Sequence, residues 1–119
     1  MELKFKSSFL LHNPGCRKSR EALNYLHNLN IDFEIILYLK ENLKLDFLKS
    51  IIKKINIDPI DMIRTQEKIW INEYKSKKLD RNQILEILIK HPKLMKRPVF
   101  IKNNKGVIAI PHTEIDKII

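Results

Sequence analysis

The sequence predicts an α/β fold in which strands lie toward both ends of the chain and helices fill its middle. Two apolar stretches, residues 4–12 and 32–39, flank an amphipathic stretch, which predicts a strand–helix–strand unit. Residues 42–92 then show helical periodicity, and two short apolar stretches with a hairpin signal follow them. The predicted order is therefore β-α-β, a block of helices, and a closing β-β-α.

The first part of the chain predicts two strands joined by a helix. Residues 4–12 alternate and then become apolar, as a strand does where it enters a core. Residues 17–29 place their apolar side chains on one side of a helix, and Asn30 is expected to stop it. Residues 32–39 are mostly apolar, which predicts a strand buried on both faces. Because a helix joins them, the two strands should be parallel, with a right-handed crossover.

The middle of the chain, residues 42–92, predicts a helical insertion between the second and third strands. Asp58 and Pro59 are typical of an N-cap and the first helical position. Asp80 is the expected N-cap of the last helix, which must end near Pro92. The predicted helices cover residues 46–55, 59–64, 67–74 and 81–90.

The closing part predicts a hairpin and a short helix. Residues 97–101 and 106–110 are apolar strands on either side of the polar segment Lys-Asn-Asn-Lys. Residues 112–119 predict a short helix with Thr113 as its N-cap. This order is typical of a thioredoxin-like fold with an enlarged helical insertion, and we expect one domain over residues 1–119.

Composition excludes several classes of protein. One cysteine cannot form an internal disulfide, and with four scattered histidines it predicts no metal site. The chain has no long apolar run and no secretory leader, which predicts a cytoplasmic protein that does not span a membrane. Its net charge of +9 permits an anionic partner such as nucleic acid, but the lysines are dispersed, which favours a solvated surface. No feature indicates oligomerisation, so we expect a monomer.

The single cysteine, Cys16, follows a Pro-Gly turn and stands at the predicted start of the first helix. Unpaired N–H groups at a helix start stabilise a thiolate and can also hold an oxyanion. Lone cysteines are often inert apolar side chains, but the turn formed by residues 13–15 argues against a core position here. Cys16 is therefore predicted to be a nucleophile of lowered pKa.

The spacing after Cys16 limits how such a nucleophile can be regenerated. A dithiol oxidoreductase has a second cysteine three residues later, where this chain has Ser19. Ser19 cannot resolve a mixed disulfide, although it can donate a hydrogen bond to a thiolate or an oxyanion. An external thiol, from glutathione or a glutaredoxin-type protein, must therefore release Cys16. We expect no bound cofactor.

The segment His-Asn-Pro-Gly-Cys-Arg-Lys-Ser-Arg at residues 12–20 resembles the active-site signature of the glutaredoxin-coupled ArsC arsenate reductase family, H-N-P-x-C-x-x-S-R. Three further segments, at residues 35–39, 61–64 and 91–101, follow in the family's order, as does a proline before the last helix. The resemblance covers residues 4–119. It implies a thioredoxin-like arsenate reductase that uses glutathione and glutaredoxin as reductants.

The resemblance also implies residue roles. Cys16 would attack arsenate, and Arg64 and Arg97 would bind the oxyanion, for which planar guanidinium donors are well suited. Pro98 would be the cis-proline that lies opposite the cysteine. Three other matched residues would shape the surroundings of the sulfur: His12, Asn13 and Ser19. A histidine at the end of a strand is as often structural as catalytic.

One position departs from the family's pattern, because Ile110 stands where a third arginine is usual. A charged contact to the anion, worth about 1.5–3 kcal/mol, is therefore missing, and His112 and Lys102 are the candidate replacements.

Three functions stay open on the sequence. The first is an arsenate reductase, and the second is a general glutathione-dependent thiol-disulfide oxidoreductase acting on other oxidised species, such as glutathionylated thiols. The third is a regulator similar to the Spx group, which binds RNA polymerase. The missing second cysteine disfavours the third function.

Overall fold

The computed structural model describes residues 7–119, and the start of the predicted first strand lies outside the described residues. The strands are β1 (Ser8–Leu11), β2 (Glu34–Ile36), β3 (Val99–Lys102) and β4 (Lys105–Ile108). They form one mixed sheet in the order β2-β1-β3-β4, with β1 and β2 parallel and the other neighbours antiparallel. The predicted α/β class, the parallel pair and the closing hairpin are confirmed.

Helices occupy the predicted positions along the chain. The α-helices are α1 (Arg17–Asn28), α2 (Leu45–Ile55), α3 (Lys68–Glu73) and α4 (Arg81–Lys90), and 3₁₀ helices cover Pro59–Met62, Pro92–Leu94 and His112–Lys117. α4 begins with a capping box, in which the Asp80 carboxylate accepts the Gln83 N–H and the Gln83 side chain accepts the Asp80 N–H. No helix within residues 7–119 is long and apolar enough to cross a membrane.

The second strand is shorter and more exposed than predicted. Residues 32–39 were expected to form a strand buried on both faces, but β2 has three residues and lies at the edge of the sheet. Ile36 is buried, whereas Ile35 is 41% exposed. Apolar composition alone does not reveal which strand ends up at an edge, because sheet order is decided by contacts distant in sequence.

Two short helices differ from their predicted form. The helix at Pro59–Met62 is 3₁₀ and stops before Arg64. Asp58 is its N-cap and Pro59 its first residue, as predicted, but the Asp58 carboxylate makes no capping hydrogen bond and instead accepts one from Arg81 at 2.7 Å. The last helix is also 3₁₀, and Pro111 precedes it. The predicted N-cap Thr113 therefore lies inside the helix.

The core consists of two apolar clusters, built on alternate residues of the central strands. Leu10 and Phe100 are paired across β1 and β3 and belong to the cluster beneath α1 and the last 3₁₀ helix. Phe9 and Leu11 belong to the larger cluster with α2 and α4. Because successive side chains of a strand point to opposite faces, the helical insertion covers one face of the sheet and α1 the other.

Candidate active site

Cys16 is held at the start of α1 by a tightly bonded turn. Its backbone is extended, and its N–H donates to the Asn13 carbonyl at 3.0 Å. The Asn13 side chain accepts the Gly15 N–H at 3.0 Å, and Arg20 donates to the Pro14 carbonyl at 2.8 Å. The turn before the helix is therefore fixed by both backbone and side-chain bonds, and the thiol is partly exposed at its end.

The pKa of the Cys16 thiol is lowered, as the helix-start position predicts. Burial has the largest single influence and opposes ionisation. It is outweighed by hydrogen bonds from the Ser19 N–H, the Arg97 side chain and the Lys18 N–H, and by the charge of Arg97. The helix N–H groups expected to hold an oxyanion thus also stabilise the sulfur.

Ser19 is fully buried, and its hydroxyl does not serve the sulfur as predicted. The hydroxyl oxygen accepts the Asn13 N–H at 3.0 Å and lies 2.6 Å from His12 Nδ1. The hydrogen bond expected from the hydroxyl to Cys16 comes instead from the backbone N–H of Ser19. The Ser19 side chain therefore fixes the turn that carries the thiol.

His12 lies behind the thiol turn, at the end of β1. It is 4% exposed, and its backbone N–H donates to the Ile36 carbonyl at 2.9 Å, which extends the pairing of the parallel strands. Burial and the charge of Arg20 lower the pKa of His12, so that the imidazole is neutral near pH 7. This environment favours a structural role through Ser19.

Arg64 and Arg97 stand on segments that run side by side. An isolated bridge pairs Ile63 with Met95, and the Arg64 N–H donates to the Leu94 carbonyl at 2.7 Å. This pairing keeps the backbone at Ile63 extended, which ends the preceding 3₁₀ helix. The two arginines, distant in sequence, therefore approach the same region.

Arg97 is brought to the thiol by the register of the sheet. Val99 pairs with Leu11, so that the residues before β3 lie beside those after β1. The Arg97–Pro98 peptide bond is cis, which agrees with the expected cis-proline. Arg97 lowers the pKa of the Cys16 thiol through side-chain hydrogen bonding and through its charge, so it influences the nucleophile directly.

A pocket of about 190 Å³ lies next to these groups. Its lining residues are Asn13, Tyr38, Leu39, Arg64, Glu67, Lys93 and Arg97. Cys16 does not itself line the pocket, but two lining residues act on it: Asn13 accepts its backbone N–H, and Arg97 lowers the pKa of its thiol. With three cations and one carboxylate in its lining, the pocket attracts anions. A larger surface groove of about 770 Å³ shares Leu39, Glu67 and Lys93 with it.

Two pocket residues that carry charge were not predicted. Glu67 lies 3.4 Å from the Arg64 guanidinium, whose side chain is 24% exposed. Lys93 lines the same wall, and its carbonyl accepts a long hydrogen bond from Arg97 at 3.4 Å. The position of Glu67, three residues after Arg64, was the only sequence signal for this ion pair.

Tyr38 is the third residue that the sequence analysis missed. It is 1% exposed, and its hydroxyl is buried without a hydrogen-bond partner among the described residues. Burial raises the pKa of Tyr38 to about 12; the charges of Arg97 and Arg64 oppose this rise and that of Cys16 adds to it. A phenol within the apolar run at residues 35–39 was the available signal.

Neither candidate replacement for the missing arginine lines the pocket. Lys102 is at the opposite end of β3 from Arg97 and pairs with Lys105. His112 packs against Tyr25, with ring centroids 4.8 Å apart. Ile110 itself is 43% exposed. The additional cation of the pocket is Lys93.

Within residues 7–119, no group of three or more His, Cys, Asp or Glu side chains is arranged to hold a metal ion.

The fold and the site define a thioredoxin-like α/β protein with one thiol at the start of its first helix, beside two arginines. Residues 11–118 match the ArsC family, and the chain belongs to this family. The family resemblance seen in the sequence is thereby confirmed.

Three similar proteins match this chain over nearly their whole length. A protein of Haemophilus influenzae named arsenate reductase is 36% identical over 111 residues, which cover 88% of this chain and 92% of that protein. The uncharacterized protein YfgD of Escherichia coli K12 is 28% identical over 112 residues, which cover 92% of this chain and 94% of that protein. A solved structure named arsenate reductase from Vibrio cholerae superposes with a TM-score of 0.89 at 26% identity, covering 98% of this chain and 100% of that chain.

Proposed function

We propose that this protein is a single-cysteine arsenate reductase, in which Cys16 attacks the arsenic atom and glutathione discharges the product. The observation that carries the proposal is the Cys16 thiol, whose pKa is lowered in part by Arg97, a residue that lines a pocket together with Arg64. The names of the Haemophilus and Vibrio relatives support arsenate as the substrate.

The pocket has the size and charge that a small tetrahedral oxyanion needs. Arg64 and Arg97 supply planar guanidinium groups, whose paired N–H donors match the oxygens of an oxyanion. Lys93 adds a third positive charge to the lining, and the negative charge of Glu67 offsets one of the three. An anion held there would present its central atom to the neighbouring sulfur of Cys16, as a productive geometry requires.

The reaction balances with two thiols. The Cys16 thiolate bonds to arsenic(V), and one arsenate oxygen leaves as water. A glutathione thiol supplies the second sulfur, the two sulfurs join as a mixed disulfide, and arsenic leaves as arsenic(III). Because Cys16 is the single cysteine of the chain, a second glutathione or a glutaredoxin must then reduce the mixed disulfide. A cytoplasmic location, where glutathione is abundant, is part of this proposal.

A general glutathione-dependent thiol-disulfide oxidoreductase is the second candidate. Two observations favour it: Ile110 replaces the third arginine, and the 770 Å³ groove extends the site beyond the small pocket. Such a groove has room for a peptide or glutathione attached to the reacting sulfur. Cys16 would then attack a disulfide instead of an oxyanion.

One assay distinguishes these functions. Arsenate-dependent NADPH oxidation is measured with glutathione, glutaredoxin and glutathione reductase, for the wild type and Cys16→Ser. Turnover by the wild type that is lost in the variant supports arsenate reduction. If arsenate is inert but a glutathionylated peptide is reduced in a Cys16-dependent way, the second candidate is supported. Inertness toward both substrates contradicts both functions.

A further inference from the structure

The hydroxyl of Tyr38 is an exception among the tyrosines of this chain. The Tyr25 hydroxyl donates a hydrogen bond to the Asp116 carboxylate at 2.5 Å. The Tyr74 hydroxyl is hydrogen-bonded to His91 Nε2 at 3.1 Å. The Tyr38 hydroxyl is buried and has no partner within residues 7–119. Buried polar groups are nearly always hydrogen-bonded, since an unmet bond costs about 1–3 kcal/mol. The group therefore calls for a partner from outside the described part of the chain.

The fold places this hydroxyl at the proposed substrate pocket. Tyr38 follows β2 and the thiol turn follows β1; because these strands are parallel, their carboxyl ends lie at the same edge of the sheet. Tyr38 lines the pocket together with Arg64 and Arg97, and its ionisation responds to the charges of both and of Cys16. It lies among these groups and is hydrogen-bonded to none of them.

We propose that the Tyr38 hydroxyl donates a hydrogen bond to the oxyanion that Arg64 and Arg97 hold, and that it is a specificity-determining contact for oxyanions. The inference rests on the proposed function, since it concerns the same pocket. Arginine side chains only donate, so they cannot accept the phenolic proton. An oxyanion held between the guanidinium groups brings the acceptor that the hydroxyl lacks.

The protonation state of Tyr38 suits this role. With its pKa raised to about 12, the phenol keeps its proton throughout the physiological range. It can therefore donate to an anion without adding a negative charge that would repel it. A disulfide offers only weakly accepting sulfur atoms, so this contact favours an oxyanion over a disulfide substrate.

The test measures how well an anion protects Cys16 from alkylation. Iodoacetamide is allowed to react with the wild type and with Tyr38→Phe, in the presence of increasing phosphate or arsenate. We expect the half-protecting concentration to rise about 10- to 150-fold in Tyr38→Phe, because one hydrogen bond to a charged group is lost. The alkylation rate without anion is measured for each protein and serves as its baseline. Tyr25→Phe is the matched control, and it should be protected like the wild type.

Three results would overturn the inference: no protection of the wild type by either anion, equal protection of Tyr38→Phe, or an alkylation rate that falls in Tyr38→Phe without any anion. The last result would show that the hydroxyl serves the thiolate. If Tyr38→Phe does not fold, wild-type protein labelled with 3-fluorotyrosine is titrated with phosphate. A ¹⁹F signal from position 38 that stays fixed would then overturn the inference. Intact protection without arsenate turnover would contradict the proposed function alone.

Discussion

Arg97, in the segment before β3, lowers the pKa of the Cys16 thiol at the start of α1 through side-chain hydrogen bonding and through its charge. Arg97 also lines the pocket proposed for the oxyanion. One guanidinium group therefore has two effects, because it stabilises the thiolate and adds positive charge where an anion would bind. The family resemblance implied only the second effect.

Arg97→Met is expected to raise the pKa of Cys16 and to weaken anion binding together. Loss of the hydrogen bond and of the charge removes two of the influences that favour the thiolate. The midpoint of the pH profile of iodoacetamide alkylation should therefore move toward the pKa of a free cysteine, about 8.5. The alkylation rate near pH 7 should fall. Arg81→Met is the control, since Arg81 pairs with Asp58 away from the site. An unchanged pH profile in Arg97→Met would contradict the assignment.

The lowered pKa of Cys16 also predicts a pH-dependent contribution to stability. A thiol whose pKa is lower in the folded state stabilises the fold most at pH values above its unfolded pKa, about 8.5. This contribution is lost as the pH falls through the folded value. The free energy of unfolding of the wild type, relative to Cys16→Ser, should therefore be larger near pH 9 than near pH 6. Urea unfolding of both proteins at both pH values measures this difference in the free energy of unfolding. A difference between the two proteins that is the same at both pH values would refute the prediction.

Glu67→Gln is expected to strengthen oxyanion binding. The Glu67 carboxylate lies 3.4 Å from Arg64 and adds the one negative charge of the pocket lining. Partly exposed ion pairs of this kind contribute about 0.2–1 kcal/mol, so the half-protecting phosphate concentration should fall by up to about fivefold. Glu73→Gln removes an exposed carboxylate that does not line the pocket and should have little effect. Weaker protection in Glu67→Gln would show that Glu67 orients Arg64 more than it competes with the anion.

The elements that follow a local pattern were predicted well from sequence. The N-cap pair Asp80 and Gln83 marks the start of α4, and Asn30, which has a positive φ, follows the end of α1. β2 was predicted less well, because its apolar residues do not show that Ile35 faces solvent at the edge of the sheet. Local patterns thus specify element type more reliably than sheet position.

The residues of the candidate site also differ in how far local sequence predicts their position. The turn carrying Cys16 is one continuous segment, so its position at the start of a helix was predictable. Tyr38 and Lys93 reach the pocket only through the sheet and the helical insertion, and the one local signal, a phenol within an apolar run, does not show that Tyr38 lines a pocket. For Ser19, the sequence shows a hydroxyl near the thiol. It does not show that this hydroxyl is hydrogen-bonded to His12 and to the Asn13 N–H.

Ser19→Ala is expected to destabilise the fold, with the thiol turn affected most. The substitution removes the acceptor of the Asn13 N–H and the partner of the buried His12 ring. Leaving such groups unpaired costs about 1–3 kcal/mol, which urea unfolding near pH 7 would measure. The exposed Ser76→Ala is the matched control and should unfold like the wild type. If Ser19→Ala unfolds like the wild type while Cys16 alkylation slows, the hydroxyl serves the sulfur after all, and its assignment to the turn is wrong.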